Sequence, residues 1–316
     1  MKKVKVFVSS RSFSNNEFLK KKLLSIYPLA TFNNTGKKLT IENFIKLAFD
    51  SEKVIVALDK IDKTVLKKLP NLKVISKYGV GLDNINLKDL ENYKIKLGWS
   101  HGQNSRAVAE LVIGYIFSIT RDIFNYQDKM KINMQFDQNI TGQVSNKSIG
   151  IIGFGSIGSE LARLLSPFNC KIFYNDIRKI NTKNPLHTQK SFNFVMKNCD
   201  IISIHVPLTS LTKDLINQNN INLLKKNLLL INCSRGGIIN EVSLHNFLKK
   251  NKTATAAFDV FQKEPPIKNK LLKLKNFYCT PHIGGSTKES ILNMGLSAIN
   301  GLDNYINFKK LYQYGY

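Results

Sequence analysis

Three residues in the second half of the chain have the types and setting for acid–base chemistry on a small anion: Arg235, Glu264 and His282. Each follows a stretch that reads as a buried strand (NLLLINCSRGG, TATAAFDVF and NFYCTPHIGG), so each stands at the carboxyl end of a strand. An arginine presents a planar fork that matches a carboxylate. A histidine gives or takes a proton near neutral pH. An acid beside the histidine orients the ring and favours its charged form. Together they suit the interconversion of a 2-oxo acid and a 2-hydroxy acid, provided something else carries the hydride. Taken singly each has a plainer reading. Arg235 alone would be a surface ion pair, Glu264 a loop acid ahead of Pro265 and Pro266, and a lone histidine is more often structural than catalytic. The other histidines fit plainer roles. His101 and His187 lie in polar loops, His245 falls on an exposed helical pattern, and His205 directly follows a strand as a structural partner.

The hydride carrier is indicated by Ser148–Ala162, SIGIIGFGSIGSELA. An apolar run, then Gly153, Gly155 and Gly158 spaced G-x-G-x-x-G, then a helical pattern, make a dinucleotide fingerprint. Gly153 permits the tight turn, Gly155 lets the backbone approach a pyrophosphate, and Gly158 lets helix and strand pack. The N–H groups of the helix start face the anion. The next strand, KIFYND, ends in Asp176, where an acid can accept from both ribose hydroxyls and repel a 2′-phosphate. That favours NAD over NADP, with Arg178 two residues on softening the preference.

The elements that must hold these residues alternate. Strands are expected at 4–8, 53–58, 72–79, 171–176, 200–207, 227–237, 253–261 and 276–285, with helices over Glu17–Ile26, after Thr40, and before Pro70. SSRSFS reads as a loop with capping potential, and one long, very apolar helix is expected from Ser105 to Met130. Strands joined by helical crossovers indicate parallel sheets. At 316 residues the chain suits two domains. The expected class is α/β, two doubly wound parallel-sheet domains. No apolar run reaches the roughly 18–20 residues of a membrane span, and the start MKKVKVFVSS runs into a strand without the pattern of a signal peptide. Four scattered cysteines without C-x-x-C spacing argue against disulfides and a zinc site and fit a reducing cytoplasm. The net charge of +25 raises the question of nucleic acid. Only six of the 47 basic residues are arginine, however, and the lysines are spread among Asn and Ile in the manner of AT-rich codon usage. A basic surface that draws in small anions is the better reading.

YGVGLDNIN (78–86), IGIIGFGSIGSELA (149–162), HVPLT (205–209), INCSRGG (231–237), AFDVFQKEPP (257–266) and TPHIGGS (280–286) occur in the order of the D-isomer-specific 2-hydroxyacid dehydrogenases. The chain resembles the phosphoglycerate dehydrogenase branch most. The resemblance implies a Rossmann NAD-binding domain, 102–285, inserted in a flavodoxin-like substrate domain made of 1–101 and 286–316. It also implies a homodimer, with the long helix as linker and dimer element. By resemblance Arg235 binds substrate, Glu264 pairs with the histidine, and His282 is the proton donor and acceptor. Ser156, Ile157, Asp176, Val206, Cys233, Ser234 and Asp259 match cofactor-contacting positions alongside Gly153, Gly155 and Gly158, with Asp259 on the nicotinamide carboxamide. Gly284 and Gly285 match the loop near the nicotinamide, and Tyr78, Gly79 and Val80 the loop over the substrate. One departure stands out. Where that branch usually carries a phosphate-binding arginine, this chain reads ALDKID, with Lys60 as the nearest substitute. Two other readings of the pattern are a formate dehydrogenase-like enzyme, disfavoured because that group pairs its histidine with glutamine, and a non-catalytic NAD-binding scaffold of the same fold.

Overall fold

A computed structural model describes residues 2–134, 136 and 140–311. The chain divides into two compact units, one formed by Met1–Asn104 with Ser286–Tyr316 and the other by Ser105–Gly285. The first unit contains β1 (Val6–Val8), β2 (Ala30–Phe32), β3 (Lys53–Val56), β4 (Val74–Lys77) and β5 (Lys96–Gly98). They form an all-parallel sheet in the order β2-β1-β3-β4-β5, the flavodoxin-like order. Side chains alternate across it. Phe7, Val54, Val56 and Ile75 face one core with Phe44, Leu66 and Leu90. Val6, Val8 and Ile55 face the other with Leu19, Leu23, Ala298 and Leu302. The last two belong to the C-terminal segment. Its helix Lys288–Gly301 lies backbone-close on the sheet, since a Cβ at Gly301 would come within 2.5 Å of Ser76 Oγ.

The second unit contains β6 (Ser148–Ile152), β7 (Lys171–Asn175), β8 (His187–Gln189), β9 (Ile201–Ile204), β10 (Leu229–Asn232), β11 (Thr255–Phe258) and β12 (Phe277–Cys279). All pairs are parallel in the order β12-β11-β10-β9-β6-β7-β8. Numbered from its own first strand this is 3-2-1-4-5-6-7, the Rossmann order with one strand added. β9 and β10 are buried along their whole length, which is why they read as unbroken apolar runs. One face packs on Phe192–Asn198 and Glu241–Lys250 through Val195, Met196, Leu244 and Phe247. The other packs on Ser105–Thr120 and Ser156–Leu165 through Val112, Ile116, Leu161 and Leu165.

Four expectations need correction. Three strands were not anticipated: β2, β5 and β8. Each has three residues and sits at a sheet edge, where a half-covered strand needs no long apolar run. The sheet of the second unit therefore has seven strands, and His187 opens β8 half-buried instead of lying in a loop. The long helix is two, Ser105–Thr120 and Ile123–Asn133, broken at Asp122, whose φ of 53° lies in the left-handed region. The first of the two is core to its own unit, so its apolar character reflects sheet packing. SSRSFS holds a short helix, Arg11–Ser14, capped by Ser10 Oγ on Phe13 N. The helix after Thr40 spans Ile41–Ala48, where the Thr40 cap contributes about 1 kcal/mol. Burial of Phe44 contributes about twice that, so packing holds this helix and the cap sets its start.

Candidate active site

β6 delivers the glycine turn. Gly153 has φ +92°, and a Cβ there would lie 2.6 Å from His205 O and 2.8 Å from Val206 Cγ1. A Cβ at Gly158, in the first turn of helix Ser156–Leu165, would lie 2.2 Å from Gly153 O. Turn, helix and the end of β9 are therefore locked at backbone contact, and no other residue fits at either position. Gly155 is different. It precedes the helix with no side-chain cap, and the nearest atom to an added Cβ is Arg178 Nη2 at 4.0 Å. Open space at this glycine, at the positive end of a ten-residue helix, fits the pyrophosphate of a dinucleotide. Ser156 and Ile157 open that helix beside it.

Asp176 ends β7 close by. Its Oδ2 accepts from Phe154 N at 2.9 Å, and Oδ1 accepts from Arg178 N at 2.9 Å and Nε at 3.0 Å. Burial favours the neutral acid, but Arg178 and the two backbone amides outweigh it and hold the carboxyl below its ordinary range. The acid is thus ionised, tied to the glycine turn, and already faced by a guanidinium. His205 directly follows β9, with Nε2 2.8 Å from Ser203 Oγ on that buried strand and Nδ1 buried without a partner. Burial lowers its pKa to about 3, so it is a neutral ring at working pH. Cys233 is buried, with its thiol pushed well above the ordinary value by desolvation, so it stays a neutral thiol. All four cysteines are free, and among the described residues no cluster of three or more His, Cys, Asp or Glu gathers to hold a metal ion.

Three strand ends converge beyond the fingerprint. The turn after β10 is organised by Asn232, which sequence reasoning passed over. Its Oδ1 accepts from Ser234 N and Oγ, and its Nδ2 donates to Arg235 O at 2.9 Å. Arg235 Nη1 reaches Ser234 O at 2.8 Å. A Cβ at Gly236 would lie 2.0 Å from Phe261 O, so the arginine turn rests on the backbone that follows β11. That backbone leads to Glu264, whose Oε1 accepts from Phe261 N at 3.1 Å while Oε2 lies 2.8 Å from His282 Nδ1. A carboxylate only accepts, so Nδ1 carries its proton and Nε2 is the atom left to exchange one. Asp259, which the resemblance places on the nicotinamide carboxamide, also ties down the loop of His282. Both its oxygens are turned to the loop of His282, accepting from Thr280 Oγ1, Ile283 N and Gly284 N.

In the first unit, Tyr78 follows β4 with its ring edge-on to Phe13 and its hydroxyl 3.2 Å from Ser12 Oγ. Gly79 has φ +123°, and Val80 O accepts from Trp99 Nε1 at 2.9 Å. Lys60 is 70% exposed and paired with Asp62 at 3.1 Å, on the cap of the next helix. The buried cation at these strand ends is Lys77, donating to Ala57 O and to Asn84 Oδ1. The signal was present in ISKYG, where a lysine closes a strand too apolar to be half-exposed.

Two doubly wound sheets, a glycine turn whose open face fits a dinucleotide, and an acid–histidine pair and an arginine at neighbouring strand ends suit a nucleotide-dependent oxidoreductase. The sequence profile of the family described as D-isomer specific 2-hydroxyacid dehydrogenase, NAD binding domain, matches residues 113–284. The hydroxypyruvate reductase of Thermotoga maritima is 33% identical over 270 residues, covering 84% of this chain and 88% of that one. The glyoxylate reductase of Thermofilum pendens is 36% identical over 272 residues, covering 83% and 80%. Among solved structures, NAD+-bound 3-phosphoglycerate dehydrogenase of Entamoeba histolytica superposes with a TM-score of 0.79 at 27% identity, covering 95% of this chain and 94% of that one. The chain belongs to the D-isomer specific 2-hydroxyacid dehydrogenases and carries their NAD-binding domain.

Proposed function

We propose that this chain reduces a small 2-oxo acid to the D-2-hydroxy acid, and runs the reverse reaction, with His282 as the acid–base group. The observation that carries the reading is the 2.8 Å contact of Glu264 Oε2 with His282 Nδ1, which leaves Nε2 to exchange a proton. Gly153–Gly158 and Asp176 would hold the dinucleotide, which when bound would supply the hydride as NADH and accept it as NAD+. Arg235 grips the substrate carboxylate and polarises the neighbouring carbonyl. In reduction, Nε2 of protonated His282 gives its proton to the oxygen on C2 while Glu264 stabilises the imidazolium. Oxidation reverses the transfer. The paired acid also favours this reading over a formate dehydrogenase-like one. Relatives named for glyoxylate and hydroxypyruvate put those two acids first, and the exposed Lys60 leaves a phosphorylated acid second.

Three broader features belong to the same reading. The chain works in a reducing cytoplasm, as its free cysteines suit and as no helix among the described residues is long and apolar enough to cross a membrane. It has no nucleic-acid partner. It is a homodimer through helix Ile123–Asn133 and Met134, where Ile123, Met130, Ile132 and Met134 are exposed. The test is NADH oxidation at 340 nm, the standard assay wavelength, with a panel of 2-oxo acids and with His282→Ala and Arg235→Ala. Each variant is expected to lose about two orders of magnitude or more in kcat/KM. Turnover near wild type in either removes that residue from the reaction, and no turnover of any acid favours a scaffold.

A further inference from the structure

His282 is exposed, yet its backbone stands at φ +56°, in the left-handed region that a non-glycine residue enters only with strain. Such a residue stays in place only if its surroundings over-determine it. The pair with Glu264 is half-exposed on both sides and cannot do this alone. The holding groups lie below. Asp259, 1% exposed after β11, accepts from Thr280 Oγ1 at 2.5 Å and Ile283 N at 2.7 Å on one oxygen, and from Gly284 N at 2.7 Å on the other. These donors bracket His282 on both sides in sequence. A Cβ at Gly284 would lie 3.0 Å from Asp259 Oδ2, so the loop sits against the carboxylate with no slack.

The chain of hydroxyls extends one step further. Tyr115 OH, from helix Ser105–Thr120, lies 2.7 Å from Thr280 Oγ1 and 3.3 Å from Phe258 O. Thr280 gives its single proton to Asp259, so the Tyr115 proton is shared between Thr280 Oγ1, the nearer acceptor, and Phe258 O at 3.3 Å. Burial raises the Tyr115 pKa and outweighs the hydrogen bond with Thr280, which lowers it, so the phenol keeps its proton throughout the working range. A buried polar chain of this kind is strong when complete and costly when broken.

We propose that Tyr115 and Thr280 are positioning residues for the reaction, fixing His282 through Asp259, an inference that rests on His282 being the acid–base group. The test uses Thr280→Val, Thr280→Ser, Tyr115→Phe, the Tyr115→Phe/Thr280→Val double variant and His282→Ala in the full chain. Readouts are kcat, KM for the oxo acid, the pH profile of kcat/KM, and NADH affinity from fluorescence. Thr280→Val is expected to lower kcat about tenfold or more and move the histidine limb of the pH profile, with NADH affinity within about twofold. Thr280→Ser restores both. Tyr115→Phe moves kcat and the limb the same way by about threefold, and the double variant is no worse than Thr280→Val, because one chain is cut twice. Should Thr280→Val fail to fold, Tyr115→Phe carries the test by the same readouts. Wild-type kcat and pH profile in the valine and phenylalanine variants overturn the proposal, as does equal loss in the valine and serine variants or additive loss in the double. Failure of the parent reading is separate: it shows as retained turnover in His282→Ala.

Discussion

Arg178 and Asp176 divide one task between opposite charges. The carboxylate suits ribose hydroxyls, while the guanidinium, 4.0 Å from where a Cβ at Gly155 would lie, suits a 2′-phosphate. Each partner masks the other, so neither NAD nor NADP meets a bare charge. Substitutions should then act with opposite sign. Arg178→Ala frees the acid and is expected to raise the kcat/KM preference for NADH over NADPH about fivefold to tenfold, whereas Asp176→Ala lowers it. These factors correspond to about 1 kcal/mol, the worth of one charge-assisted hydrogen bond with a half-exposed partner. Paired NADH and NADPH titrations of the two variants measure this, and shifts in the same direction would contradict it.

Among elements, the helix Lys288–Gly301 shows how a distant segment is fastened to a sheet. Asp303, just beyond it, accepts from Tyr27 OH at 2.7 Å and Lys53 Nζ at 2.9 Å and pairs with Lys2 at 2.7 Å. Burial favours its neutral form, but the hydrogen bonds from Lys2, Lys53 and Tyr27 outweigh this and bring its pKa from 3.8 to about 2. A folded value below the unfolded one stabilises the fold above the unfolded pKa, and that contribution fades as pH falls from about 4 toward 2. Asp303→Asn should therefore lower Tm at pH 7, with the gap to wild type narrowing toward pH 3. Thermal melts across that range decide it, since a gap that is constant or wider in acid has another cause. The same scale separates what the sequence reveals from what it hides. Central strands such as β9 and β10 announce themselves because both faces are covered. Edge strands of three residues do not, because pairing on one side sustains them with little apolar area. The break at Asp122 is equally silent, for neither proline nor glycine marks it. Around the site, Arg235, Glu264 and His282 were legible because strand ends and local motifs expose them. Asn232 and Tyr115 were not, since their significance lies in partners across a turn or 165 residues away.

At the scale of the whole molecule, the net charge of +25 acts on encounter more than on chemistry. Both the dinucleotide and the oxo acid are anions, and the field of 41 lysines reaches them across solvent. The screening length contracts from about 30 Å at 0.01 M salt to about 3 Å at 1 M. Across that range kcat/KM for the acid is expected to fall severalfold while kcat stays within about twofold. Steady-state assays in graded NaCl report it, and an unchanged kcat/KM would show that the charge plays no part in capture.

The two units also differ in when they can exist. Ser105–Gly285 is one uninterrupted stretch, whereas the other unit is sewn from both chain ends, with Ser76 bonded to Ala298 and Tyr27 to Asp303. A ribosome emits the N-terminal strands first, and Leu19 and Leu23 cover part of one side of their sheet, but that cover is complete only when Ala298 and Leu302 emerge. Synthesis order and assembly order are thus inverted. The later-made middle can close while the earlier-made beginning waits with β4 and β5 lacking the helix Lys288–Gly301, and chaperone demand falls on the first hundred residues of the nascent chain.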